Sequence, residues 1–161
     1  MINKISAIVT GGSSGLGEAT VRKIVAYGGN VSILDFKKDE GIALCQELGE
    51  ACSFFQTDVT DEISINNALL ESININKYIN LVVNCAGIGV AEKLIGKEGL
   101  HSIALFQKVI NVNLFGTFNV IRSALKEMKN NSVDNDGLRG VIINTSSIAA
   151  YDGQIGQVAY S

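Results

Sequence analysis

The sequence has 161 residues, of which 47% are hydrophobic and 18% charged, and its formal net charge is -3. This composition excludes a disordered chain and favours a soluble globular domain with a sizeable core. The acidic balance and the lack of an apolar run of roughly 18 residues argue against nucleic acid and membranes as partners, and predict a protein of the cytoplasm, or of an organelle matrix if a presequence is removed.

Five apolar runs, each bounded by glycine or polar residues, predict strands that are buried on both faces. They cover residues 5–10, 31–35, 52–58, 79–84 and 140–146. Amphipathic stretches between them predict helices over about 16–28, 39–48, 61–75 and 103–128. Strands that alternate with helices predict a doubly wound parallel sheet, and the polar residues 129–140 predict a surface loop before the fifth strand.

The cysteines and the single histidine give no metal or disulfide signal. Cys45, Cys52 and Cys85 are odd in number and lack a paired C-x-x-C spacing, so they are predicted to be small buried side chains. His101 lies in a predicted loop, where a solvent-facing side chain is expected rather than a catalytic base. We therefore predict no metal site.

A glycine-rich turn follows the first predicted strand. In TGGSSGLG, glycines 11, 15 and 17 allow the backbone to turn sharply and to approach a diphosphate, while the next helix directs free N–H groups at the phosphates. The alternative is a tight connection between strand and helix with no ligand. The predicted cofactor-binding residues of this turn are Thr10, Gly11, Ser13, Ser14, Gly15, Leu16 and Gly17.

An acidic residue ends the second predicted strand. Asp35 lies 18 residues after Gly17, close to the position of the acid that binds an adenosine ribose. Its carboxylate would repel a 2′-phosphate, which favours NAD over NADP. Asp35 could instead cap the next helix, and Lys37 and Lys38 could reach a phosphate. We predict that Asp35 and Phe36 contribute to the cofactor site.

Three further motifs follow the glycine turn, and with these four motifs in order the chain resembles a short-chain dehydrogenase/reductase. They are TGGSSGLG, TDVT at 57–60, NCAG at 84–87 and NVNLFGT at 111–117. The stretch from residue 84 to the end is similar to the 3-hydroxyacyl-CoA dehydrogenase type 2 branch of that family, also called 17β-hydroxysteroid dehydrogenase type 10. The resemblance implies one Rossmann-like NAD-binding domain over residues 1–161, with strand order 3-2-1-4-5.

The resemblance also implies further cofactor contacts. Asp58 and Val59 would contact adenine, and Asn84, Ala86 and Gly87 would line the back of the cofactor. Each has a structural alternative, because Asp58 could cap the following helix and NCAG could be a compact exit from the strand.

The catalytic residues implied by the resemblance are Asn113, Ser147 and Tyr160. Tyr160 would be the acid/base, Ser147 would hold the substrate oxygen, and Asn113 would anchor a water in the proton relay. Ser147 is chosen over Ser146 because it precedes Tyr160 by 13 residues, the interval usual in the family. The implied reaction interconverts a secondary alcohol and a ketone, with 3-hydroxyacyl-CoA or a related compound as substrate.

The family pattern Y-x-x-x-K has no lysine here, because only Ser161 follows Tyr160. We therefore expect the N-terminal part of a longer enzyme, inactive by itself and a homodimer or homotetramer in its full-length form. The alternative is a non-catalytic dinucleotide-binding fragment or subunit. A Rossmann-like methyltransferase shares the glycine turn but would not use Ser147 with Tyr160.

Overall fold

A computed structural model describes residues 4–97 and 99–161. Five strands form one parallel sheet in the order β3-β2-β1-β4-β7. The predicted order 3-2-1-4-5 is confirmed, and the fifth predicted strand is β7 because a small antiparallel hairpin, β5 and β6, precedes it. The strands are β1 (Ser6–Thr10), β2 (Asn30–Asp35), β3 (Cys52–Gln56), β4 (Leu81–Asn84), β5 (Ile95–Gly96), β6 (Gly99–Leu100) and β7 (Val141–Asn144).

Helices connect the strands much as predicted, with one difference. The helices are α1 (Gly15–Ala26), α2 (Lys38–Leu48), α3 (Glu62–Asn76), α4 (Ile103–Ile110) and α5 (Thr117–Met128). The helix predicted over 103–128 is confirmed in its bounds, but it is not α-helical throughout, because residues 111–116 form a π-helical segment between α4 and α5. Segments of this kind are frequent at functional sites. Here the segment contains Asn113.

The core lies on both faces of the sheet, as the continuous apolar strands predict. On one face, Ile8 and Leu34 pack with residues of α3 and α5. On the other face, Val9 and Ile33 pack with residues of α1 and α2. All five residues of β1 are buried, and each buried Val or Ile side chain contributes about 1.5–3 kcal/mol of transfer free energy.

The strand register brings the predicted site segments to one edge of the sheet. Thr10 at the end of β1 pairs with Leu34 in β2 and with Asn84 in β4. Asn84 in turn pairs with Asn144 at the end of β7. The glycine turn, NCAG and the segment that carries Ser147 therefore all leave the carboxyl ends of neighbouring strands, where open parallel sheets bind ligands.

His101 is buried rather than solvent-facing, so that prediction is wrong. The residue is only 8% exposed. Its Nδ1 lies 2.9 Å from the Ser102 carbonyl oxygen, and its ring packs edge-on against Phe106. The His101 N–H donates to the Leu94 carbonyl, and its Nδ1 lies 3.4 Å from Glu92 Oε2, so the segment folds back on itself around His101.

The opposite, amino-terminal edge of the sheet carries a cleft of about 630 Å³. The predicted loop 129–140 lines it together with Tyr78 and Asn80, and none of the predicted site residues borders it. Asn131 fixes this loop by donating from Nδ2 to the carbonyls of Ile79 and Arg139. In the described part of the chain, no helix has both the length and the apolar character needed to cross a bilayer.

Candidate functional site

In the glycine turn between β1 and α1, two glycines are packed against neighbouring backbone and one faces open space. A Cβ at Gly17 would stand 2.1 Å from the Gly11 carbonyl oxygen, and a Cβ at Gly11 would stand 2.8 Å from the Ala86 backbone nitrogen. Gly15 has φ +56° and meets no described atom within 4 Å. The first two glycines therefore close the turn, while Gly15 leaves its outer surface free for a ligand.

The same turn holds polar groups that lack partners among the described residues. The Ser13 hydroxyl is buried with no hydrogen bond there. Ser14, the N-cap residue of α1, makes no side-chain cap hydrogen bond. A buried hydroxyl without a partner is costly, and uncapped N–H groups at a helix N-terminus attract anions. The uncapped helix N-terminus is what a phosphate-binding turn requires, whereas the Ser13 hydroxyl lies beside Gly41 of α2.

Asp35 turns its carboxylate toward the glycine turn. Oδ2 accepts a hydrogen bond from the Ser13 N–H at 2.9 Å, and Oδ1 accepts one from the Lys37 N–H at 3.0 Å. Asp35 is not the N-cap of α2, since that position is Lys37. Phe36 and Lys38 are exposed beside it. The acid and the glycine turn therefore form one continuous surface, as the sequence predicts.

The segment after β3 places Asp58 on the surface and Val59 in the core. Asp58 Oδ1 accepts hydrogen bonds from the backbone N–H and the hydroxyl of Thr60, at 2.8 and 2.7 Å. The alternative that Asp58 caps α3 is wrong, because Asp61 is the N-cap residue and accepts from the Ile63 N–H. Val59 is buried. The exposed Asp58 carboxylate remains open to the solvent at this edge.

Thr10 fixes the turn after β4. Its hydroxyl oxygen accepts from the N–H groups of Cys85 and Ala86, at 3.2 and 3.1 Å. Asn84 donates from Nδ2 to Asn144 Oδ1 at 2.9 Å, which ties β4 to β7. These bonds hold the NCAG segment against the glycine turn, in line with its predicted position behind the cofactor.

Asn113 forms two hydrogen bonds with the backbone just after NCAG. Its Oδ1 accepts from the Ile88 N–H at 2.8 Å, and its Nδ2 donates to the Ile88 carbonyl at 2.9 Å. A Cβ at Gly87 would stand 3.4 Å from Asn113 Oδ1. The oxygen and the nitrogen of the Asn113 amide thus both bind the backbone of Ile88. The π-helical segment, which carries Asn113, therefore holds the strip 87–89 in place.

Ser147 and Tyr160 lie beyond β7 on the same side of the sheet. Ser147 is half-buried, and its Oγ accepts from the Ala149 N–H at 3.2 Å, which leaves its O–H free to donate. The Tyr160 ring comes within 3.9 Å of a Cβ placed on Gly89. The strip 87–89 is therefore contacted by Asn113 and approached by Tyr160.

A backbone bridge holds the tyrosine segment beside this strip. The Glu92 N–H donates to the Gly156 carbonyl at 2.7 Å, and Glu92 forms a parallel bridge with Gln157. The phenol itself belongs to a residue that is 36% exposed. The arrangement leaves the phenol accessible at the carboxyl edge of the sheet.

Comparison with known proteins identifies the family. A family model described as short chain dehydrogenase matches residues 6–161. The chain belongs to this family. A solved structure described as 3-hydroxyacyl-CoA dehydrogenase type-2 from Mycobacterium avium superposes with a TM-score of 0.92 at 38% identity, over 99% of this chain and 65% of that chain.

Relatives of the short chain dehydrogenase family point to the same branch. Proteins named 3-hydroxyacyl-CoA dehydrogenase type-2 from Bos taurus and Drosophila melanogaster are 45% and 44% identical to this chain. The matches cover 99% and 100% of this chain, but only 62% and 64% of those relatives. The chain thus spans less than two thirds of the length of these relatives.

A nicotinamide dinucleotide, the cofactor that this family implies, fits the residues present. The open surface at Gly15, the unpartnered Ser13 hydroxyl and the Asp35 carboxylate lie together at the start of α1. The open surface at this helix N-terminus suits phosphates, and the Asp35 carboxylate suits ribose hydroxyls. Among the described residues, no group of three or more His, Cys, Asp and Glu side chains could hold a metal ion.

Sequence reasoning missed two residues that shape the site. A Cβ at Gly41 in α2 would overlap the Phe54 ring at 2.1 Å and stand 2.8 Å from Ser13 Oγ, so this glycine lets α2 pack beside the turn. A glycine inside a helix is unfavourable, and that signal was available. Ile88 offers only its backbone to Asn113, so no side-chain pattern could have revealed it.

Proposed function

We propose that this chain provides the cofactor site and the alcohol-binding residues of an NAD-dependent oxidoreductase that interconverts a secondary alcohol and a ketone. The observation that carries the proposal is the Asp35 carboxylate, which is bound to the Ser13 N–H beside the open glycine turn. The substrate that we propose is 3-hydroxyacyl-CoA or a related hydroxy compound, because the similar proteins are named 3-hydroxyacyl-CoA dehydrogenase type-2.

The cofactor that we propose is NAD. A ribose diol can donate hydrogen bonds to the Asp35 carboxylate, whereas a 2′-phosphate at the same place would meet a like charge. Lys37 and Lys38, the nearest basic residues in the sequence, are exposed. They are too solvated to offset that repulsion, so NADP is expected to bind more weakly.

The chemistry divides between the cofactor and three side chains. Bound NAD supplies the acceptor for hydride, and the protein must place the alcohol and move its proton. We propose that Ser147 donates its free O–H to the substrate oxygen and that Tyr160 exchanges the proton. Asn113 holds the strip 87–89, which Tyr160 approaches, and we propose that it also supports the water of the proton relay.

The relay of this family also needs a lysine four residues after the tyrosine, and the 161 residues contain no such position. Because the chain spans less than two thirds of the length of the relatives, we propose dinucleotide binding for these 161 residues and turnover for a polypeptide of full length.

Oligomer formation and location are part of the same proposal. Three large apolar residues of the π-helical segment and α5 are exposed: Leu114, Phe115 and Phe118. Exposed apolar clusters of this kind favour subunit contact, which supports a homodimer or homotetramer for the longer form. We propose a cytoplasmic location, or an organelle matrix where a presequence is removed.

The cofactor proposal is tested by fluorescence titration with NADH and NADPH. Replacing Asp35 with asparagine (Asp35→Asn) should weaken NADH binding about tenfold, since a charge-assisted hydrogen bond is worth about 1.5–3 kcal/mol, and should narrow the preference over NADPH. Asp39→Asn, an exposed acid on α2, is the matched control and should bind as the parent does. Unchanged NADH binding in Asp35→Asn, with the fold intact by circular dichroism, would refute ribose binding by this residue.

The catalytic proposal is tested on the longer gene product by reduction of acetoacetyl-CoA with NADH. Tyr160→Phe and Ser147→Ala should each lower kcat by about 100-fold or more while NADH affinity is kept, because they act on the proton and the substrate oxygen. Ser146→Ala is the control and should retain activity. Full turnover by Tyr160→Phe, or by the 161-residue polypeptide, would contradict the roles given to the tyrosine and to the lysine.

A further inference from the structure

Two thiols face each other where α2 meets β3. Cys45 lies in the last turns of α2 and Cys52 is the first residue of β3, and their sulfur atoms are 3.0 Å apart. Between them the chain ends α2 at Leu48 and reverses through a short 3₁₀ turn, Gly49–Ala51. Gly49 adopts φ +72°, a conformation that favours glycine, so the reversal that opposes the two thiols is built into the backbone.

The two cysteines differ in their access to solvent. Cys52 is 7% exposed and belongs to the core cluster between the sheet and α1 and α2. Cys45 is half-buried and packs on the rim of that cluster. A small reagent can therefore reach Cys45 from the solvent, while Cys52 is sheltered behind it.

We propose that Cys45 and Cys52 are a redox pair that forms a reversible intramolecular disulfide when a hydroperoxide oxidises Cys45. A disulfide has its sulfur atoms about 2.05 Å apart, so a further approach of about 1 Å is needed. The sequence alone did not indicate this pair, because the spacing is not C-x-x-C. The reversal at Gly49 brings the cysteines together.

The contact also sets the order of the two thiols. Hydrogen bonding from the Cys52 thiol lowers the pKa of Cys45, because it stabilises the Cys45 thiolate against the opposing effect of burial. The same hydrogen bond, together with burial, raises the pKa of Cys52. Because Cys45 is also the thiol that solvent reaches while Cys52 is buried behind it, Cys45 is the nucleophile and Cys52 resolves the oxidised product.

The chemistry balances without a metal or a cofactor. The Cys45 thiolate attacks the hydroperoxide, its O–O bond breaks, and Cys45 becomes a sulfenic acid as one molecule of water or alcohol leaves. The sulfur of Cys52 then attacks the sulfenic sulfur, the S–O bond breaks, and a second water leaves as the S–S bond forms. Two thiols are oxidised by two electrons in total, and the hydroperoxide is reduced by two electrons.

The pair lies at the far end of the sheet from the candidate cofactor site. Cys52 pairs with Val31 at the start of β2, whereas Asp35 pairs with Gln56 at the other end. Oxidation is therefore expected to change the affinity for NADH by less than about twofold, as for distant and independent sites. The disulfide would fasten the end of α2 to the sheet.

The proposal is tested by titrating the reduced, folded chain with one equivalent of hydrogen peroxide, trapping free thiols by alkylation, and mapping peptides by mass spectrometry. The expected product loses the mass of two hydrogen atoms, about 2 Da, yields a linked Cys45–Cys52 peptide, and returns to the free thiols with dithiothreitol. A linked peptide that contains Cys85, or no loss of mass while the thiols remain unreacted, would overturn the proposal.

Variants separate the two roles. Cys52→Ser should stop at a sulfenic acid on residue 45, which dimedone captures, while Cys45→Ser should give neither product. Cys85→Ser is the matched control, because Cys85 is also half-buried but contacts the Thr145 hydroxyl at 3.3 Å instead of a thiol, and it should form the disulfide as the parent does. Because the parent chain already tests the linkage, a variant that fails to fold does not affect that result. Dimedone capture at residue 52 in Cys45→Ser that is as fast as capture at residue 45 in Cys52→Ser would contradict the order.

Discussion

The first half of the molecule, around strands β1 and β2, and the second half, around the edge strand β7, differ sharply in the burial of these strands, although all three are apolar. Strand β1 is buried at all five positions, and β2 has four buried residues at its centre. Strand β7, VIIN, is as apolar, yet Val141 and Ile143 are 45% and 49% exposed. Within the described residues, β7 pairs only with β4. Apolar strands are therefore necessary for a core here, but the packing around them decides where the core lies.

The difference separates stability from chemistry. The first half contributes the glycine turn and Asp35 from a rigid, buried frame, whereas Ser147 and Tyr160 lie in the second half on a segment with little regular structure. Segments with few buried contacts open at low free energy, and catalytic residues are commonly carried by such segments on a rigid scaffold. We therefore expect dinucleotide binding to be more robust than the arrangement of the proposed catalytic residues.

The largest effect expected from this comparison is the loss of unfolding free energy when an isoleucine in each half is truncated to alanine. Ile33→Ala, at a fully buried position of β2, should lower the free energy of unfolding by about 3–4 kcal/mol, and Ile143→Ala in β7 by less than about 1 kcal/mol. Denaturant unfolding followed by circular dichroism measures both. Equal losses would break the comparison and would mean that Ile143 is covered in solution, which a midpoint that depends on protein concentration would reveal.

A smaller effect is expected when a methyl group is added to a glycine in each half. Gly17→Ala forces a Cβ against the Gly11 carbonyl and should lower the free energy of unfolding by about 2–3 kcal/mol. Gly153→Ala, at a position where no described atom lies within 4 Å, should change it by less than about 0.5 kcal/mol. Thermal unfolding of the two variants distinguishes them. A Gly17→Ala protein as stable as the parent would show that the turn can widen, and that the first half is less rigid than the contact with the Gly11 carbonyl implies.

The smallest effect concerns an exposed ion pair of the first half. The Arg22 guanidinium binds the Glu47 carboxylate through Nη1 and Nη2, joining α1 to α2, and lowers the pKa of Glu47. A lowered pKa stabilises the fold above the ordinary glutamate value and loses this contribution as the pH falls through the folded pKa. The melting temperature of Glu47→Gln should therefore lie slightly below that of the parent at pH 7. This difference in melting temperature should disappear as the pH is lowered.

Salt and a neighbouring acid provide the controls for that ion pair. Added salt should also shrink the difference, because both side chains are solvated. Glu50→Gln, another exposed acid close by in the sequence, should show neither trend. If the melting temperature of Glu47→Gln differs from that of the parent by the same amount from neutral to acidic pH, the difference does not come from the ion pair.

Much of the fold was predictable because it rests on local patterns. Continuous apolar runs predicted the five strands of the sheet, and the glycine spacing placed the turn that Gly11 and Gly17 close. The carboxylate of Asp35 lies beside that turn, as its distance in sequence from Gly17 predicted. Such features depend on residues that are near one another in the chain or on a repeated periodicity.

The features that could not be predicted depend on contacts between distant segments. The π-helical segment forms where Asn113 meets the backbone of Ile88, and His101 is buried because its segment folds back against Leu94. The opposed thiols of Cys45 and Cys52 depend on how the chain reverses at Gly49. None of these has a periodic signature, since each is decided by the tertiary packing.

The π-helical segment has a consequence for the spacing of residues along its helix. A turn closed by an i to i+5 bond holds one residue more than an α-turn, and one residue corresponds to about 100° of rotation about the helix axis. The π-turn takes up this extra residue, so α4 and α5 both keep a buried face, with Val109 on α4 and with Val120 and Ala124 on α5. A single-residue deletion within 111–116 would therefore restore a regular α-helix without rotating α4 relative to α5.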